Sequence, residues 1–94
     1  MSMDATEILH TAEICIGDRA ASRDQPDGER SMARTVAAFN ALTGHRLSER
    51  DGWLFMVTLK AARAATPGGR HNADDYVDMC AYAALTGECA ERVA

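Results

Sequence analysis

The stretch Ser48-Glu49-Arg50-Asp51-Gly52-Trp53-Leu54-Phe55-Met56-Val57 decides the fold. Its first four residues open a helix, with the Ser48 oxygen capping the free amides of the first turn. Trp53 to Val57 are then apolar on every side. The run is far too short to cross a bilayer and suits a central core helix. The same helix turns amphipathic further on, with Lys60 and Arg63 on one side, and stops at Thr66-Pro67-Gly68-Gly69, the clearest break in the chain.

Working outward from that helix gives three more. Asp4-Ala5-Thr6-Glu7 has capping-box spacing. Ile8, Ala12, Cys15 and Ile16 follow as one helical stripe, so a first helix is expected over 4–16, ending near Gly17. Residues 18–28 read as a loop, with room for a short helical turn, because Pro26 and Asp27-Gly28 are breakers. A second helix is expected over 28–43 with the stripe Met32, Val36, Phe39, Thr43 and Leu42 alongside, closed by Gly44 as a left-handed cap. Asn72-Ala73-Asp74-Asp75 caps a fourth helix over 73–91, whose stripe is Val77, Ala81, Ala84 and Leu85. No run alternates as a strand does. The expectation is a single all-α domain over 1–94, four helices in an antiparallel, bundle-like arrangement.

Composition supports this and narrows the function classes. Of 94 residues 47% are hydrophobic but only 5% aromatic, which favours closely spaced helices over a sandwich of large side chains. No segment has the apolar length of a membrane span or the look of a secretory signal, so a cytoplasmic protein with no membrane partner is expected. The formal net charge of −4 argues against a nucleic-acid-coating protein. Three cysteines (Cys15, Cys80 and Cys89) form no Cys-x-x-Cys and read as small buried thiols. The charge is uneven: residues 1–18 carry −4, residues 19–70 carry +4 and residues 71–94 carry −4. Arg19, Arg23, Arg30 and Arg34 cluster in the basic middle. They either pair with the acidic ends or form a face for an acidic partner or a phosphate.

The sharpest chemistry lies on the fourth helix. Asp74, Asp75 and Asp78 fall one turn apart or less, so their carboxylates converge and repel unless a cation offsets them. Magnesium takes oxygen ligands of this kind, often together with substrate phosphates. Arginine or lysine from a neighbouring helix is the other solution. Capping accounts for Asp74 and Asp75, but not for Asp78, which lies beside the buried stripe. Lys60 and Arg63 either hold a phosphate or lay their stems over apolar surface while their heads pair with Asp78. Tyr82, one turn beyond Asp78, either lines that pocket or packs. His10, His45 and His71 are scattered without ligand spacing.

The order Asp18-Arg19, Pro26, Leu47-Ser48, Leu54-x-Met56-x-x-Leu59-Lys60-x-x-Arg63, Asp74-x-x-x-Asp78 and Tyr82-Ala83-Ala84-Leu85 resembles a family of small phage and prophage proteins of unknown function. That family is distantly similar to the MazG-like, all-α nucleoside triphosphate pyrophosphohydrolases. The resemblance covers about residues 8–88. It implies a helical domain that forms homodimers, and a magnesium site in which acids on two helices serve hydrolysis between the α and β phosphates. Asp75-Tyr76-Val77-Asp78 stands where the Glu-x-x-Asp motif of such enzymes falls, which would make Asp75 and Asp78 metal ligands and Lys60 and Arg63 phosphate ligands. The companion Glu-Glu-x-x-Glu motif is missing, and Arg23-Asp24-Gln25-Pro26 replaces the family's usual Tyr-Gly before the proline. The first expectation is therefore a phage-encoded accessory protein that binds a host protein or a nucleotide without catalysis, using Arg19, Arg23, Arg30 and Arg34. The second is a magnesium-dependent pyrophosphohydrolase-like enzyme.

Overall fold

The computed structural model describes residues 2–23 and 31–93, with the side chains of 19–23 and of 93 outside that description. Four helices make up an all-α fold: α1 (Ala5–Arg23), α2 (Ser31–Thr43), α3 (Glu49–Ala64) and α4 (Ala73–Val93). No helix is long and apolar enough to cross a membrane among the described residues.

Local chemistry sets most of the helix ends. At α1 the Asp4 carboxylate accepts from the Glu7 amide at 2.8 Å and Glu7 reaches back to the Asp4 amide at 3.2 Å. At α3 the same box is built by Ser48, whose hydroxyl oxygen accepts from the Asp51 amide at 3.1 Å, and by Asp51, whose carboxylate accepts from the Ser48 amide at 2.8 Å. Hydrogen bonding to the carboxylate from the Ser48 backbone amide, and then from the Ser48 side chain, holds the Asp51 carboxyl below the usual carboxylate range. Gly44 follows α2 at φ +78°, a left-handed position where a side chain would be strained. The turn after α2 is further fixed by Asn40, whose amide group donates to the Leu47 carbonyl at 2.9 Å and accepts from the Leu47 amide at 3.0 Å.

One boundary corrects the expectation. α1 does not stop near Gly17 but continues to Arg23. A lone helical glycine costs only about 1 kcal/mol, and the flanking alanines restore the propensity. Arg19 and Arg23 therefore lie one turn apart on a helix, not in a loop. The expected breaker turn at Pro26 and the start of the second helix over 28–30 lie outside the described residues.

The helices lie side by side in the order α1, α4, α3, α2, and no other pair is in contact among the described residues. α4 is thus the centre of the molecule. One face packs on α3 through Trp53, Tyr82, Leu85 and Cys89, with the Trp53 and Tyr82 rings stacked at 5.7 Å. The other face packs on α1 through Ala12, Val77 and Ala81, the small side chains letting the two helices close together. α3 and α4 are antiparallel: Glu49 at the start of α3 meets Arg92 near the end of α4, while Lys60 meets Asp78.

Three expected apolar faces are corrected by this layout. The run Trp53–Val57 is not wholly buried: Trp53 is core, Met56 and Val57 are half-buried, and Leu54 and Phe55 face outward. A helix with neighbours on only two sides cannot cover its whole circumference. On α4, Ala84 is exposed while Val77, Ala81 and Leu85 are buried. On α2 only Val36 is buried, and Phe39 and Leu42 are open.

Candidate functional site

The acidic row of α4 divides by helical geometry. The Asn72 side-chain oxygen accepts from the Asp74 amide at 3.0 Å and caps the helix, leaving the Asp74 side chain exposed at the positive end of the helix dipole. One residue on, Asp75 turns inward and is 9% exposed, and its carboxylate makes no hydrogen bond or ion pair with any described residue. Three residues further, Asp78 faces α3 and meets Lys60, with Nζ 2.9 Å from the carboxylate and both side chains mostly buried. The structure therefore brings Lys60 and Asp78 together and places Asp75 one turn away on α4. Arg63 points outward and pairs with no described residue. Tyr82 stacks on Trp53 in the core rather than standing open to a pocket.

An ammonium group beside a half-buried carboxylate supplies the positive charge the acidic row needs. It also takes the place at Asp78 that a metal ion would use. Magnesium favours six oxygens in octahedral array. Asp75 and Asp78 offer carboxylate oxygens from one helix only, and no group of three or more His, Cys, Asp or Glu side chains suited to a metal occurs among the described residues. The donor set here does not by itself fit a resident magnesium ion.

Of the four arginines read as a partner face, Arg34 alone has a described side chain. Arg34 is exposed on α2 and makes no bond with a described residue. Arg19 and Arg23 occupy the last turns of α1, with side chains outside the description, and Arg30 lies outside the described residues. The three histidines are exposed, His45 stacking on Phe39 at 5.8 Å and His71 on Tyr76 at 6.0 Å.

Two features escape a reading of the sequence. At the far end of α3 and α4, Arg92 donates to Glu49 at 3.4 Å and to the Cys89 sulfur at 3.1 Å, and lies 3.8 Å from Glu88. Burial pushes the Cys89 thiol above its ordinary range, and the Arg92 hydrogen bond offsets part of that shift. Glu49 and Arg92 are 43 residues apart, so no local spacing announces them. The second feature is a cavity of about 440 Å³ between α2 and α3, lined by Met32, Val36, Phe39, Leu47, Phe55 and Met56 among others. Its signal in the sequence is the surplus of apolar residues around the circumference of α3.

The class that these observations define is a small all-α protein with a half-buried lysine–aspartate pair between α3 and α4. A family model described as a domain of unknown function (DUF6378) matches residues 7–90, and the chain belongs to that family. No curated protein and no solved structure matches it.

Proposed function

We propose that this chain is a binding protein of the phage accessory kind, engaging an anionic partner without catalysis. The partner is either a host protein with an acidic surface or a phosphorylated nucleotide. The observation that carries the reading is the Lys60–Asp78 pair: the cation and the carboxylate that phosphate and metal binding would need are spent on each other. Cationic groups remain on the outside instead, Arg34 and Arg63 among them, where they are open to an acidic surface. Arg19, Arg23 and Arg30 add to the positive charge available to such a partner.

A second reading is favoured by one observation. Asp75 is buried without a partner among the described residues, three positions before Asp78, in the place of a MazG-like Glu-x-x-Asp motif. On this reading Asp75 and Asp78 would hold magnesium that arrives with nucleotide phosphates, and Lys60 and Arg63 would steady those phosphates.

Calorimetric titration with nucleoside triphosphates, with and without magnesium, beside a turnover assay and a host-lysate pull-down resolved by mass spectrometry, separates the two. The binding reading expects no turnover, and retention of one partner that Arg34→Glu and added salt both weaken. Turnover of any nucleotide that vanishes in Asp78→Ala overturns it in favour of the hydrolase.

A further inference from the structure

We infer that the open face of α2 and α3 is a self-association surface, on which a second copy of this chain seats groove against groove about a two-fold axis. α2 has 13 residues and, among the described residues, touches α3 alone. A helix that short gains little from its own hydrogen bonds and depends on packing. Here that packing is one-sided, through Met32 and Val36 against Gly52, where a Cβ would stand 2.9 Å from Val36 Cγ2. The radius of gyration is 14.4 Å, against about 12 Å for a compact chain of this length. The arm that α2 makes is thus left beside the bundle rather than folded into it.

The exposed area says what covers it. Phe39 is 43% exposed, Leu42 87%, Leu47 42% and Phe55 67%. With whole-residue areas of roughly 200–240 Å², those fractions leave on the order of 500 Å² of exposed surface, Phe39, Leu47 and Phe55 lining the cavity and Leu42 standing three positions beyond Phe39 on α2. That lies at the upper end of what a monomer leaves open. A stable interface buries about 800 Å² per partner, and about 65% of a homodimer interface is apolar, which again is about 500 Å². The surface therefore has the size and character of one half of a homodimer interface. Packing it on its own copy closes the cavity between α2 and α3 and gives α2 its missing neighbour. Two-fold pairing meets the condition that one apolar patch serve both sides.

Sedimentation velocity on the full chain, from low micromolar concentration upward, tests the assignment, with circular dichroism to check helix content. The wild type is expected at twice its 10.1 kDa chain mass, with a melting temperature that rises with concentration. Phe55→Glu and Leu42→Glu, each at a position already exposed in the single chain, are expected to give the monomer mass with helix content unchanged. Leu9→Glu, an exposed position on α1 (61%), is expected to leave the dimer intact. A wild type that stays monomeric at hundreds of micromolar overturns the inference. So does a dimer that survives Phe55→Glu and Leu42→Glu together, a dimer that Leu9→Glu dissociates, or an apolar small molecule or another protein found filling the groove in the purified monomer.

Discussion

α2 and α4 are both amphipathic, yet they are held in opposite ways. α4 is gripped on two faces, by α3 through Trp53, Tyr82 and Leu85 and by α1 through Ala12, Val77 and Ala81. α2 is held along one edge, at Gly52 and through the Asn40–Leu47 clasp. The difference teaches that helix burial here follows the order in which helices stand side by side, not the strength of each helix's own apolar stripe. A stripe at the end of the row finds only one neighbour.

The largest expected effect is on the α4 side. Trp53→Ala removes the ring that stacks on Tyr82 and leaves a void, at a cost of about 3–5 kcal/mol. For a chain this small that is most of its stability. Urea denaturation should show a large drop in midpoint or an unfolded protein; a change under 1 kcal/mol would mean that the α3–α4 core is not what holds the molecule.

Gly52→Ala acts on the α2 side and should sharpen the contrast. The added Cβ meets Met32, which can swing aside, and Val36, which cannot. Overpacking of about 1–3 kcal/mol competes with a helix-propensity gain of about 1 kcal/mol. Global stability should fall by up to about 2 kcal/mol, while hydrogen exchange rises over 31–43 and stays unchanged over 73–93. Equal acceleration in both helices would show that α2 and α4 open as one unit.

The smallest effect belongs to the α3 cap, which serves both sides. Ser48→Ala should cost about 1 kcal/mol. Asp51 is held below the usual carboxylate range by its Ser48 bonds, so its contribution is present above the unfolded value and is lost as pH falls through the lower, folded one. The wild type should therefore lose a part of its stability under acid that Asp51→Ala does not. Identical pH profiles of the two proteins, followed by thermal melting, would remove the cap from the account.

How much of this was legible in the sequence depends on distance along the chain. Caps are local, and Asp4 with Glu7 and Ser48 with Asp51 stand where their spacing puts them. The inward lean of Asp78 follows from its place beside the α4 stripe, and the structure gives it Lys60. Gly17 misled because one glycine is outweighed by a helix that runs past it. Leu54 and Phe55 misled because an apolar run reports the wish to be buried, whereas the number of neighbours is a property of the whole arrangement. Glu49 and Arg92 were invisible for the same reason, since a pairing across 43 residues has no local pattern.

The contact between α3 and α4 runs from a stacked ring pair, Trp53 on Tyr82, through Leu85 to Cys89. A slide of about 5.4 Å along the axis would part those rings. It would also part Lys60 from Asp78 near one end and Arg92 from Glu49 near the other. A slipped pair of helices would strand a mostly buried charge at the first of these points, so the ionic contacts act as index pins on either side of the apolar seam.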